Sequence, residues 1–408
     1  MPLNKRRILY HMKHLSALLL LSFLLLKLAA QNGSSDLPFI LQDQQKLAAF
    51  KQLYKSGNKV AKLEVDSLIA EAEKALGAGP YSVTFQKTKL APSGDKHDYV
   101  SQAPYWWPDS SKPDGKPYIR KDGRINPERN LSRDYGQLGQ LHGNIKQLGL
   151  AWYFTGNEAY AKKAVELMRV WFIDTATRMN PNLNYGQYVP GVNEGRGIGI
   201  IETVGLTNVP DALAMMKESK SVSDAFIRGM KDWFQQYADW LVTSTNGKDE
   251  RSQKNNHGTY YDMQLADFAL FTGNKELARK VIREQTIPRI DQQFTVEGSQ
   301  PLELARTKSW GYSTMNLLGW CKLAVIADRV NIDLWHTETK DGKGIRKTFE
   351  WLMPYVMKEK TWNYEQIEPF SYNTVVSLYN LAASKYSRNV FQKVSALYPE
   401  SKQEKAWW

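Results

Sequence analysis

Ala151-Trp152-Tyr153-Phe154-Thr155-Gly156-Asn157-Glu158 and Ala269-Leu270-Phe271-Thr272-Gly273-Asn274-Lys275-Glu276 are one phrase written twice in this 408-residue chain. In each copy an aromatic, apolar helix end runs into Gly, which is suited to the position just past a helix C-terminus. Asn follows, placed to cap the next helix. Both are therefore corners of helical hairpins. A single hairpin cannot bury its apolar face, so repeated hairpins imply a stacked or circular array of helix pairs.

The apolar period supports this on either side. Two helices are expected within 37–79, with Leu47, Phe50, Leu53 and Tyr54 on one stripe and Leu63, Val65, Leu68, Ile69 and Ala72 on another. Further helices are expected at about 161–173, 198–217, 222–243, 312–329 and 342–358. Two stretches break the period. Residues 80–133 are rich in Pro, Gly, Asp, Lys and aromatics, including Tyr105-Trp106-Trp107-Pro108. Residues 178–197 form a polar loop. Irregular segments of this length in a compact domain are more often functional than idle. Trp106 and Trp107 read equally well as a sugar platform or as plugs over the helices. No linker divides the chain, so one all-α domain is expected, with the aromatic segment folded over it.

Residues 1–30 read as a cleavable secretory signal: Lys5, Arg6 and Arg7 precede an apolar run from Leu15 to Leu26, and Ala29-Ala30 follow. Gln31 and Asn32 stand where a lipid-anchoring Cys would be needed, so the expectation is a periplasmic or secreted protein with no membrane anchor. Five of the 54 Lys and Arg and none of the 42 acids fall in the signal, which leaves +7 on residues 31–408. That excess suits an anionic partner. The basic residues form no continuous stripe, which speaks against nucleic acid. Cys321 is the only cysteine, so stability must come from a large core. The 13 Trp and 21 Tyr include flat amphipathic rings suited to sugars.

Beyond the signal the histidines are His97, His142, His257 and His336. None has zinc-motif spacing, and no CxxC, EF-hand loop or Walker motif occurs, so no metal or cofactor is expected. His142 and His336 read as packing residues, and His97 as a candidate for a cleft rim. His257 follows a polar stretch and opens a helix; one reading has Asn256 as the cap and His257 as an ordinary first-turn residue, the other makes both functional. Arg306 and Tyr312 lie six apart, about 240° around a continuous helix, and converge only if the chain bends between them. Gly311 permits a bend, and Ser309 is a plausible cap. The structural alternatives are an Arg306–Glu303 ion pair and a core ring for Tyr312.

Asn256-His257, followed some fifty residues later by Arg306 and then Tyr312, resembles the catalytic pattern of the α/α-toroid alginate lyases, most closely polysaccharide lyase family 38. The resemblance extends to Tyr105-Trp106-Trp107-Pro108, Asn182-Leu183-Asn184-Tyr185-Gly186-Gln187, Gly195-Arg196-Gly197 and Gln300-Pro301-Leu302-Glu303-Leu304-Ala305-Arg306-Thr307. It implies an (α/α) toroid of about seven hairpins over 31–408 and β-elimination on polymannuronate or a related polyuronate such as glucuronan. It further implies that Asn256, His257 and Arg306 neutralise the uronate carboxylate, and that Tyr312 takes the C5 proton and returns one to the leaving oxygen. The last role asks for a Tyr312 pKa below the usual value of about 10, which a neighbouring Arg306 favours.

Tyr105, Trp106, Asn184, Tyr185, Gln187, Asn193, Glu194 and Arg196 are candidates for the sugar cleft. Arg196 is also readable as a structural ion pair with Glu194 or Glu202. Two other classes remain. An α/α-toroid glycoside hydrolase would need paired acids from among Asp98, Asp109, Glu194, Glu297 and Glu303. A non-catalytic anionic-glycan binder would need none.

Overall fold

The computed structural model describes residues 37–386 and 389–398; the signal segment expected over 1–30 lies outside them. An extended strap, 37–43, leads into α1 (Gln44–Lys55) and α2 (Lys59–Leu76). The aromatic segment carries three short strands, β1 (Val100–Gln102), β2 (Trp106–Trp107) and β3 (Ile119–Arg120). Then come α3 (Arg133–Thr155), α4 (Glu158–Met168), β4 (Tyr185–Tyr188) and a 3-10 helix over Gly197–Thr207. Next are α5 (Asn208–Met215), α6 (Asp224–Thr243), α7 (Thr245–Ser252), α8 (Asn256–Thr272), α9 (Lys275–Val281) and α10 (Ile287–Gln293). The rest is α11 (Pro301–Leu304), α12 (Ser309–Arg329), α13 (Ile345–Val356), α14 (Asn373–Tyr386) and α15 (Asn389–Leu397).

The two hairpin corners form as their sequences require. Gly156 and Gly273 end α3 and α8 with φ of 71° and 90°, the left-handed region that costs other residues a clash at Cβ. Asn157 and Asn274 then accept backbone N–H bonds from Ala159 and Leu277, starting α4 and α9.

The helices form an all-α ring. α8 lies inside it: every residue from Gly258 to Phe271 is buried, as expected of a helix covered on all sides. It packs against α6, α9, α12 and the Gly197–Thr207 helix, while α3 packs against α2, α4 and α5. The helix expected over 198–217 is split. Three glycines leave its first half in 3-10 form, and α-helix begins with Pro210 in the first turn, where a missing N–H costs little. The two irregular segments meet in a two-stranded sheet, β1 pairing parallel to β4, while β2 and β3 pair antiparallel in a second sheet within the aromatic segment. The aromatic segment is thereby fastened to one rim of the ring.

Candidate active site

Asn255, not Asn256, caps α8, accepting the His257 N–H through its side chain. Asn256 is thereby released from capping, and its backbone N–H and Nδ2 instead donate to Glu303 Oε1 and Oε2, at 2.6 and 2.7 Å. Its amide oxygen is buried with no partner. His257, one residue on, sets Nδ1 2.7 Å from Glu250 Oε1 on α7, and a ring held by a carboxylate at Nδ1 turns Nε2 outward. The junction between α7 and α8 is itself clamped. Arg289 pairs with Asp262 inside the ring and donates to the carbonyl oxygens of Arg251 and Gln253.

Arg306 lies in the connector between α11 and α12, and Tyr312 in the first turn of α12. The bend that brings them together is this connector rather than Gly311, which lies within α12. Ser309 does not cap α12; its hydroxyl donates to the Glu365 carbonyl. Arg306 Nη2 donates to the Tyr312 hydroxyl at 2.8 Å, and the guanidinium carbon sits 3.8 Å from the ring centroid. Its ion pair is with Asp122, through Nε and Nη2, not with Glu303. Asp122 also accepts the Thr307 N–H and hydroxyl. Burial pushes the Asp122 carboxyl up, but these donors and the Arg306 charge outweigh it and hold the group at about 2. Gly123 makes the approach possible, since a Cβ there would fall 2.3 Å from Thr307 Oγ1.

The Tyr312 hydroxyl is also 2.8 Å from that of Tyr105. Burial, and then the bond to Tyr105, raise the Tyr312 pKa, and Arg306 only partly opposes them. This overturns the expectation of a depressed phenol: burial and the Tyr105 bond favour the protonated hydroxyl. Burial likewise raises the Glu250 and Glu303 carboxyls, against the pull of His257 on the first and of Asn256 on the second.

Asn256, His257, Arg306 and Tyr312 all line one cleft of about 910 Å³, together with Tyr105, Trp106, Gln187 and Arg196. Asn184, Tyr185, Asn193 and Glu194 are not on its wall. The Asn184 side chain is spent on the Trp240 indole N–H, and that of Asn193 on the Val189 N–H of its own turn. Tyr185 lies in β4 opposite Val100, and Glu194 is solvent-exposed. Arg196 makes no ion pair with Glu194 or Glu202 among the described residues; Glu202 is held by Tyr99, Ser101 and Arg129. His142, read as a packing residue, lines the cleft, with Nδ1 buried and unpartnered. His97 bonds the Arg178 carbonyl and does not line it.

Glu250 and Asp122 are the partners of candidate site residues that sequence reasoning missed. Asp122 sits in Lys121-Asp122-Gly123, which reads as a plain turn, and Glu250 in a charged stretch that reads as solvated surface. Of the acids available to a hydrolase, none lines the cleft. Its one carboxylate among the described lining residues is Glu202, which faces no second acid there as hydrolysis would require.

The sequence model of the alginate lyase family matches residues 82–362. An alginate lyase from Bacteroides ovatus is 39% identical, with 91% of this chain and 97% of that one aligned at a TM-score of 0.85. Alginate lyase A1-III from Sphingomonas species A1 aligns over 88% of this chain and 92% of its own at a TM-score of 0.54, and at 17% identity it shares the fold. No curated protein matches the chain. With the family model spanning more than half its length, and a relative this similar aligned nearly end to end, the chain belongs to the alginate lyase family of polysaccharide lyases.

Proposed function

We propose that the protein cleaves alginate, with polymannuronate as the preferred substrate, by β-elimination, leaving 4,5-unsaturated uronate ends. The observation that carries this reading is the Tyr312 hydroxyl, held between Arg306 and Tyr105 in the same cleft as Asn256 and His257. A solved complex of a variant A1-III alginate lyase with a tetrasaccharide agrees with an oligosaccharide in this fold.

The C5 hydrogen of a uronate is weakly acidic while the neighbouring carboxylate is charged, because its removal places a second negative charge on the same group. Arg306 supplies a fixed positive charge and charge-assisted hydrogen bonds. His257 adds Nε2, and Asn256 adds the amide N–H that Glu303 does not use. These donors are in place before the reaction, so they stabilise the enolate-like charge as it grows without reorganising.

Tyr312 then removes the C5 proton and returns one to the glycosidic oxygen. Its resting form is the phenol, so the base form is generated by loss of that proton to solvent as substrate binds, with Arg306 and a rotated Tyr105 hydroxyl both donating to the phenolate oxygen that is left. In mannuronate the C5 hydrogen and O4 lie on one side of the ring, so one Tyr serves both steps. In guluronate they lie on opposite sides, and His257 is the second base. Glucuronate matches mannuronate at C4 and C5 and differs at C2, which makes glucuronan the runner-up. A secreted or periplasmic location is part of the same proposal, resting on the 1–30 sequence pattern.

The test is the ultraviolet absorbance of the unsaturated uronate on incubation with polymannuronate, polyguluronate and glucuronan. The expected result is a rise that is largest on polymannuronate and lost in Tyr312→Phe, a variant that should melt like the wild type. Near-normal turnover in that variant, or no rise on any of the three polymers, would sink the reading.

A further inference from the structure

A second cavity, of about 180 Å³, lies one helical turn further along the ring than the cleft. His142, Gly205 and Met315 line the cleft, with the His142 ring against Gly205. Lys146 on α3, Asn208 on α5, and Leu318 and Lys322 on α12 follow these residues by one or two turns, on the same faces, and line the second cavity. Asn256, His257, Arg306 and Tyr312 are all in the first chamber, so the second is no part of the site described above. Its wall is completed by the strap, through Leu41 and Gln42.

The groups on this wall define what it can hold. Lys146 and Lys322 contribute two ammonium groups, which only donate; their charge reaches His142 and helps to lower its pKa. Asp211 is the one carboxylate among the described lining residues, and both its oxygens accept strap N–H groups. Asp267 on α8, fully buried and in electrostatic reach of Lys322, is held well above the usual carboxylate range by burial and then by Asp211, so it adds little negative charge. Gln42 is 5% exposed, and its Oε1 is buried without a partner. Native structures leave few such oxygens idle, since an unpaired buried acceptor forfeits the bonds that water gave it. An occupant suited to this wall carries negative charge for the lysines and a hydroxyl to donate to Gln42. A simple carboxylate lacks the hydroxyl, and a polyol lacks the charge; a hydroxy acid has both. The volume is room for about six waters at ~30 Å³ each, which admits a small acid and no polymer.

We propose that this cavity binds one small hydroxy acid, with its carboxylate on Lys146 and Lys322 and a hydroxyl donating to Gln42 Oε1. The site is separate from the cleft and takes a free acid rather than a chain. Two sources share this chemistry: a single uronate released from a polysaccharide, and a three-carbon acid such as glycerate. The occupant joins α3 and α12 to the strap, so its binding also holds the strap in place.

The test is isothermal titration of the whole protein with D-glycerate and with monomeric D-mannuronate, beside propionate and glycerol, which lack the hydroxyl and the charge respectively. One or both hydroxy acids should bind at a single site, more tightly than either control, and the tighter of the two identifies the source. Lys322→Met and Gln42→Leu should each weaken that binding about 10- to 100-fold and leave the rate of polymer cleavage unchanged, which separates the cavity from the cleft. In the wild type, hydrogen exchange at the Ile40, Leu41 and Gln42 amides should slow when the acid is added, a readout that does not depend on a variant folding. Binding that both variants retain, controls that bind as well as the acids, or strap exchange unaltered by a bound acid would overturn the proposal. So would no binding of either acid at millimolar concentration, which would leave the cavity to water.

Discussion

His257 shows how much of the behaviour of a side chain in the candidate site is set by atoms behind it. Glu250 is fully buried, and its Oε1 is 2.7 Å from Nδ1 while Oε2 has no partner. The ring therefore has one face committed to the protein and one to the cleft. Glu250→Gln keeps the volume but removes the charge and lets an amide N–H compete for the same nitrogen. We expect kcat to fall about 10- to 1,000-fold with KM little changed; steady-state kinetics that show a shift in KM alone would contradict a positioning role. The residues that meet in the candidate site are legible in sequence, because Asn, His, Arg and Tyr near loop boundaries are conspicuous. Their partners are not. Glu250 and Asp122 are recognisable only once the ring has folded and buried them, and Asp122 meets Arg306 across 184 residues. The direction of the Tyr312 pKa is hidden for the same reason: Arg306 is visible as a neighbour, but the burial and the Tyr105 hydroxyl that outweigh it are not.

At the scale of elements, the two hairpin corners are the most legible feature, since they depend on local backbone chemistry alone. Neither Gly156 nor Gly273 has another atom within 4 Å of where a Cβ would sit. Replacing either with Ala therefore meets no neighbour and costs only the left-handed backbone, about 1–2 kcal/mol. Urea unfolding of Gly156→Ala and Gly273→Ala should show two similar losses, with a smaller loss for Asn at the same positions; an unchanged midpoint would contradict the corner assignment. The element that departs most from its pattern is the one expected over 198–217. Its apolar period suggests a single helix, but glycines at 197, 199 and 205 favour a tighter, irregular path. That path brings Gly205 against the His142 ring. The polar loops are recognisable as loops, but their pairing through β1 and β4 is not, because two short strands 85 residues apart leave no mark on each other's sequence.

For the whole molecule, the interior of the ring holds opposing titrations. Burial, with the Lys146 and Lys322 charges, pulls the His142 pKa down to about 4. A group whose folded pKa lies below its unfolded value contributes stability above the unfolded pKa of about 6.5 and loses it as pH falls toward the folded value. Asp211 runs the other way. Burial raises it to about 6 against the pull of three backbone N–H donors, so its contribution is present below about 3.9 and is lost as pH rises through 6. The two offset each other over much of the same window. Replacing His142 with Gln removes one side: the wild-type stability advantage over His142→Gln should shrink by on the order of 2 kcal/mol between pH 7 and 4, as read by denaturant melts. A difference independent of pH would show that the imidazole is not held neutral.

Asp211 also receives the N–H groups of Ile40, Leu41 and Gln42, while Arg329 donates to the carbonyl oxygens of Ile40 and Gln42. The strap is thus tied to two helices 171 and 289 residues further along the chain. Closing loops of that length gains nothing until both ends are present. During synthesis the strap emerges among the first described residues, can reach Asp211 once α5 has been made, and gains its second fastening only when Arg329 at the end of α12 follows. The ring can gather its hairpins in order, but the strap is held from both sides only after most of the chain has been made, which places its full closure late in folding.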